Sequence, residues 1–581
     1  MTLPDGLRSR LAVLNKHLNR TFSVPPFVRL EQRIASLSHG DRIIFYALCG
    51  LVAISSLAST YALERSLLVS EPAYGGSLTE GIVGSPRFIN PVLALSDADR
   101  DLATLTYAGL MGISGDGNLA PVIADHYEIS ADGRVYTFYL KQNATFSDGT
   151  PITAQDVAFT VHQVQNPAIK SPAYASWTGV LAEAVDPHTV RFTLAKPYAP
   201  FFELTTLGIL PERHWKNISD SEFAFSTLQT NPIGAGPFKV SKVSKDSSGL
   251  IKRIDLDFNK HYALGRPYLD TMHFVFYART EDLTVAMKSG AVESAYDVAE
   301  RKTVTAPYAR VFGVFLNQNE KQVYARTEVR KALSLAINRD HIINTTLGGF
   351  ATAIMGPVPP TNAINLTPVP QFANPTEEAA RALTSQGWLY DGAAHLWKLP
   401  SAKLTLTEIT VRTSNAPELK NVASAVKADL EKLGIPVTVQ IYEQSDLAQN
   451  VIRPRKYEAL LYGMVIGRNQ DLYAFWHSQE RNDPGLNIAL YANKTVDTLL
   501  ETARSVADET SSRATLQKIE STIAADYPAL FLYTPDFTYS IPEDLSGVVL
   551  PTIVTPSDRF AQVASWYRVT DHVWPFLASS K

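Results

Sequence analysis

Side chains able to do chemistry are sparse in this 581-residue chain and form no assembled catalytic pattern. Its 12 histidines stand singly. Without HExxH or HxxxH spacing, each reads as a surface or hydrogen-bonded core residue, and no metal site is expected. Cys49 is the single cysteine, which excludes intramolecular disulfides and cysteine-based zinc. Gly112-Ile113-Ser114-Gly115 falls one residue short of a nucleophile elbow and sits in an Asp/Gly turn. Gly234-Ala235-Gly236-Pro237 lacks the third glycine of a dinucleotide cradle and leads into a strand-like segment, and no GxxxxGK[ST] phosphate loop exists. Asp97, Asp99 and Asp101 crowd the start of a helix, where carboxylates favour the dipole. Catalytic triads scatter through a sequence, so these absences do not exclude an enzyme. They favour a binding protein without a cofactor.

The elements that would position a binding site are mixed. With 45% hydrophobic and 19% charged residues the chain is globular, and its length allows several lobes. Lys and Arg number 53 against 57 Asp and Glu, so the basic surplus of a nucleic-acid binder is lacking. From Gly75 onward strand-like and helix-like segments alternate. Val135 to Leu140 and Val190 to Leu194 read as strands, and Phe146 to Pro151 as a turn. Thr153 with Asp156 opens a capped helix carrying Val157, Phe159 and Val161. Glu328 to Ile337 is an amphipathic helix. Leu419, Val422, Ala423, Val426, Leu430 and Leu433 form another, closed by Gly434 and followed by a strand from Ile435 to Ile441. Pro357 to Pro375 reads as a surface crossover. This order points to α/β lobes.

Ile43 to Leu63 carries no charge and matches the length needed to span a bilayer. Arg8, Arg10, Lys16, Arg20, Arg29, Arg33 and Arg42 precede it, opposed by Asp5, Glu31 and Asp41, so the positive-inside bias leaves the first segment in the cytoplasm. A signal peptide cleaved after Thr60-Tyr61-Ala62 is the competing reading, but its charged region would be unusually long. A retained single-pass anchor is therefore expected, with the main domain outside. In the tail, Leu7, Leu11, Leu14 and Leu18, then Phe27, Leu30, Ile34 and Leu37, recur at helical spacing among basic residues. They suit either an anionic membrane surface or a helical tail that only orients insertion.

Several blocks in consistent order resemble the bacterial extracellular solute-binding proteins of family 5, the oligopeptide- and dipeptide-binding proteins of ABC importers. They are Gly75 to Thr79 with Asn90-Pro91; Asn118 to Ala124 with Tyr127, Ser130, Asp132-Gly133 and Tyr136-Thr137-Phe138; Phe146 to Pro151 with Thr153 to Val157; Leu210 to His214; Asn231 to Phe238; and Val329 to Leu333 with Ala336 to Arg339. The resemblance runs from about residue 75 to the C-terminus.

It implies an α/β fold of the periplasmic-binding-protein-like type II, the large cluster C form, with two hinged lobes and an inserted subdomain, here preceded by a transmembrane helix. The boundaries it suggests are a tail over 1–42, an anchor over 43–63, a linker and first strand of lobe I over 64–95, the inserted subdomain over 96–232, lobe I again over 233–311, lobe II over 312–534, and a return to lobe I over 535–581. Ligand is then expected in the inter-lobe cleft, held largely through its main chain. The opening strand, with Ile82, Val83, Gly84 and Ser85, commonly lines that cleft in the family. A second ligand segment, Gly-Trp-x-x-Asp-x-x-Asp-Pro, has its counterpart in Tyr462 to Leu472, so Gly463, Met464, Arg468 and Asp471 are candidate contacts. Met464 replaces the Trp and Leu472 the Pro, and Arg468 stands where the amine-binding Asp should be. An arginine there repels an ammonium and favours a carboxylate or phosphate, although Arg468 reads equally well as a solvated loop charge. A one-residue shift would give the amine role to Asp471.

The resulting expectation is a monomeric, membrane-anchored receptor subunit that binds oligopeptides without catalysis and delivers them to ABC permease and ATPase subunits. The alternatives are the same scaffold binding a nickel complex, haem, an opine or an oligosaccharide, an anchored solute sensor and, least favoured, a surface hydrolase.

Overall fold

The computed structural model describes residues 32–298, 301–360, 364–506 and 509–574. The first amphipathic set of the tail, and Phe27 and Leu30 of the second, lie outside them. The chain divides into two compact units, residues 1–72 with 570–581, and residues 73–569.

In the first unit His39–Leu67 is one helix of 29 residues. Ser38 and Asp41 close its first turn, the Ser38 hydroxyl donating to the Asp41 carboxylate at 2.6 Å. The stretch His39–Tyr61, mean hydropathy 1.9, is long and apolar enough to cross a membrane. After the helix, Val69–Ala73 pairs with Val569–Val573.

The second unit is α/β. Its first sheet has the order Ser77–Val83, Thr271–Tyr277, Ile251–Phe258, Phe238–Lys245. The first two strands are parallel and the rest antiparallel. Alternation decides which face is buried: Met272, Phe274 and Phe276 point into a core with Leu78, Ile254 and Trp566. Helix Asp97–Thr106 packs into this core through Ala98, Leu102 and Leu105. Gly236 lies against its C-terminal end, where a Cβ would stand 2.4 Å from the Leu105 carbonyl oxygen, so only glycine allows the approach.

Residues between this helix and strand Phe238–Lys245 build a separate core around an antiparallel sheet ordered Ala124–Ile129, Val135–Leu140, Thr189–Thr193, Leu181–Asp186. Tyr136, Phe138 and Leu140 face inward with Phe192, Trp177 and Phe201, each such side chain contributing about 2–3 kcal/mol of burial. Helix Ala154–Gln165 covers them. Its Asp156 carboxylate accepts from both the N–H and the hydroxyl of Thr153, at 2.8 and 2.7 Å.

The largest sheet explains how the chain passes between cores. Strand Ala529–Ile541 has 13 residues. Its first half pairs with Arg310–Leu316 and its second with Lys302–Pro307. Leu530, Leu532 and Tyr533 lie in a core with Val314, Val426 and Leu461, whereas Phe537, Tyr539 and Ile541 lie in the core of the first sheet. The chain therefore crosses from one core to the other twice, around Tyr308–Arg310 and around Thr534–Asp536. Helices Thr327–Ala336 and Pro417–Lys432 flank the second core, the latter ending before Gly434 in the left-handed conformation, φ 80°. Arg330 and Arg339, within the family-like helix block, are buried and donate to the carbonyls of Asp526 and Phe531.

Two readings need correction. Pro357 to Pro375 is only partly a surface crossover. Pro357, Val358 and Pro359 are buried, and Thr367 donates through its N–H and hydroxyl to the Glu520 carboxylate at 2.9 and 3.0 Å. Asp101 is more than a charge at a helix start. It is fully buried and receives two hydrogen bonds from Arg559, at 3.0 and 2.7 Å, while Arg559 also donates to Glu80 at 2.9 Å.

Candidate ligand cleft

The double crossing brings charged side chains from both cores within reach of one another. Strand Ala295–Tyr296 ends at Asp297, whose N–H donates to the Thr538 carbonyl at 3.0 Å and whose φ is 57°. Opposite, Glu418 in the first turn of helix Pro417–Lys432 is exposed and accepts the Tyr533 hydroxyl at 2.6 Å. Burial raises the Asp297 carboxyl, the Glu418 charge raises it further, and Arg310 opposes both, so the three charges share one space. Neither carboxylate has a cation within 4 Å among the described residues.

Arg310 starts the strand that crosses between cores. Its guanidinium carbon lies 3.8 Å from the Tyr308 ring centroid, and Nη2 donates to the Tyr308 hydroxyl. Burial pushes that phenol up to about 12, against the lowering effect of Arg310. Phe312 stacks on Tyr533 at 5.0 Å as the next layer.

Loop 466–472 takes part in two arginine-centred contacts. Arg468 donates to the Thr552 carbonyl at 2.9 Å and to Asp558 at 2.8 Å. Asp558 also accepts from the N–H of Val554 at 2.8 Å. Glu203, from the inserted core, is raised by burial and lowered by Arg468 and by the loop N–H groups of Asn469 and Arg468. In the second contact Arg504 donates to Asp471 at 2.7 and 2.9 Å while its guanidinium lies over the Tyr473 ring at 3.9 Å. The Arg504 carbonyl accepts the Ala199 N–H from the inserted core at 3.0 Å. A cavity of about 420 Å³ adjoins Asp558, but its walls, Tyr107, Met111, Tyr262 and Phe560 among them, come from the first and inserted cores alone.

The residues named from sequence separate into two places. Gly463, Met464, Arg468 and Asp471 share one strand and its following loop. Gly463 faces Phe312, where a Cβ would stand 2.6 Å from the ring, and Met464 is buried. Arg468 and Asp471 both hold protein partners. Ile82 is fully buried, and Val83 packs against the small core around Leu283. Gly84 is exposed, donates to the Tyr277 carbonyl at 2.8 Å and has φ 99°. The Ser85 hydroxyl donates to the Ile251 carbonyl at 2.9 Å.

Sequence reasoning did not reach Arg310, Tyr308, Asp297, Glu418, Glu203 or Asp558. Only Asp558 carried a local signal, the Thr555-Pro556-Ser557-Asp558 capping pattern, and that describes its backbone role alone.

Two α/β cores joined by one strand that serves both make the fold periplasmic-binding-protein-like. The profile of the bacterial extracellular solute-binding proteins, family 5 middle region, matches residues 118–484, and the chain belongs to that family. It is 26% identical over 522 residues to the oligopeptide-binding protein AppA of Bacillus subtilis, covering 87% of this chain and 93% of that one. The fold is similar to the ABC transporter substrate-binding protein CtaP of Listeria monocytogenes, with a TM-score of 0.70 and 24% identity over 85% of this chain and 99% of that one. It is also similar to NikZ of Campylobacter jejuni, solved with Ni(L-His), with a TM-score of 0.64 and 21% identity over 84% of this chain and 99% of that one.

Proposed function

We propose that this protein is the extracytoplasmic receptor of an ABC importer and captures oligopeptides in the cleft between its two hinged lobes. The observation that carries the reading is the charge pattern of the cleft. Among the described residues no cation lies within 4 Å of Asp297 or Glu418 and no carboxylate within 4 Å of Arg310, while Asp297 feels the charge of both Glu418 and Arg310. A peptide supplies both missing signs at its ends, and main-chain pairing to strands supplies affinity without demanding a sequence. The similarity to AppA points the same way.

Helix His39–Leu67 serves as a retained single-pass anchor, with the basic tail in the cytoplasm and the α/β unit outside. The lobes follow the two strand crossings, with 96–232 as the inserted subdomain. Cargo passes from a monomeric receptor to permease and ATPase subunits.

Native mass spectrometry of the full chain, released gently from detergent micelles, tests this. A heterogeneous mass increment that resolves into short peptides is expected. A single discrete increment of a metal chelate or sugar would replace the peptide reading with another solute on the same scaffold.

A further inference from the structure

Gly234-Ala235-Gly236-Pro237 and Gly112-Ile113, which make neither a dinucleotide cradle nor a nucleophile elbow, meet at the cavity of about 420 Å³ between the first and inserted cores. Pro237, Gly112 and Ile113 are in its walls. Gly234 and Gly208 seat a further wall residue, Tyr107. A Cβ would stand 3.0 Å from Tyr107 Cδ1 at Gly234 and 2.6 Å from Tyr107 Cβ at Gly208. Tyr107 is 3% exposed, and its hydroxyl is buried without a hydrogen-bond partner. Burial raises the Tyr107 phenol and pushes that of Tyr262, in the same lining, up to about 12, with no hydrogen bond acting against either rise. The charged groups of the lining already have partners: Arg100 lies 3.8 Å from Asp97, and Asp558 lies 2.8 Å from Arg468. Met111, Val122 and Phe560 supply apolar wall. A volume in the range of about 300–1,000 Å³, mostly apolar with few polar groups and set at a junction of domains, is the form of a small-molecule site.

We infer that this cavity is a second binding site, separate from the cleft, for a small neutral molecule that is mostly apolar and carries a carbonyl-type acceptor for the Tyr107 hydroxyl. The site stands whether or not the cleft takes peptides. An acceptor pairs a phenol whose burial otherwise carries a desolvation cost, and a wholly apolar ligand leaves that cost in place. A charged ligand is disfavoured, because Arg100 and Asp558 are held by charges of their own and the rest of the volume would desolvate it.

The test uses the full chain in lipid nanodiscs, where no detergent tail competes for an apolar cavity. The probes are acetophenone, ethylbenzene, which has a similar shape but no acceptor, and benzoate, which is charged. Binding is followed by saturation-transfer NMR, with free probe corrected against empty nanodiscs. Each reading is the difference between the native chain and Ala103→Phe, which fills the cavity, so probe dissolved in lipid cancels. Should Ala103→Phe fail to fold, Ala561→Phe fills it from another wall. Acetophenone is expected to bind about three- to tenfold more tightly than ethylbenzene, the scale of one hydrogen bond, and more tightly than benzoate. Tyr107→Phe should remove the advantage of acetophenone and leave ethylbenzene binding unchanged. Equal signals from the native and filled chains, an advantage that survives Tyr107→Phe, or benzoate binding as tightly as acetophenone overturns the inference. Displacement of acetophenone by a pool of short peptides would place the probe in the cleft, which overturns the inference while supporting the peptide reading.

Discussion

Arg468 Nη2 lies 2.8 Å from Asp558 Oδ2, with the two side chains only 10% and 14% exposed. The arginine belongs to the loop after strand Ala459–Val465, and the aspartate to the C-terminal segment packed on helix Asp97–Thr106. The ion pair thus joins the loop after a strand of the second core to a segment packed on the first. A latch of this kind lowers the energy of the closed arrangement without touching cargo.

Replacing Arg468 by Ala should therefore open the molecule before it weakens any ligand contact. The expected outcome is a larger radius of gyration by small-angle scattering and a faster cargo off-rate. A double-mutant cycle with Asp558→Ala should give a coupling of roughly 1–3 kcal/mol in urea unfolding. Additive effects of the two changes would show that the pair carries no such coupling.

Asp471 makes a different prediction from the one its family position suggests. Its carboxylate is already held by two Arg504 nitrogens, and the pair is partly exposed. Asp471→Asn should lower stability by about 1 kcal/mol, discounted for solvent screening, and change peptide affinity less than about fivefold. A loss near a hundredfold, measured by titration with free-amine peptides, would return Asp471 to the ligand.

The buried trio of Glu80, Asp101 and Arg559 sets a pH dependence. Burial, against the attraction of Arg559, raises the Asp101 carboxyl to about 6. An unfolded aspartate titrates near 4, so between about pH 4 and pH 6 the native state holds a proton that the unfolded state has lost. This contribution to stability is present below the unfolded value and is lost as pH rises through the folded one. It amounts to at most roughly 2–3 kcal/mol. Urea midpoints in that range should show it, and Asp101→Asn should flatten the profile.

Glu203 predicts the direction of a second effect, on closure. Burial beside loop 466–472 raises its carboxyl, with Arg468 and the loop N–H groups acting against the rise. The arrangement that buries Glu203 therefore binds a proton more readily than one that exposes it. Mild acidification should shift scattering profiles toward the compact form, and Glu203→Gln should remove the shift. An unchanged or opposite response in the native chain would show that Glu203 is not buried by closure.

Most local elements were legible because their causes are local. The alternation in Val135 to Leu140, the Thr153–Asp156 cap and the glycine that ends helix Pro417–Lys432 each follow from residues a few positions apart. The ordered blocks from Gly75 onward likewise made family 5 visible before any coordinates, since close backbone approaches such as Gly236 on Leu105 demand particular residues.

The cleft was not legible for the opposite reason. Asp297, Arg310, Glu418 and Asp558 become neighbours only when one long strand, Ala529–Ile541, pairs with two consecutive strands and carries the chain twice between cores. Nothing in local periodicity says which charge will meet a partner there. The sequence alone determined the elements, the apolar span near the N-terminus and the family. The tertiary structure decided that Arg468 and Asp471 hold the loop while Arg310 lies on Tyr308, because pairing of charges depends on distances that only the folded chain sets.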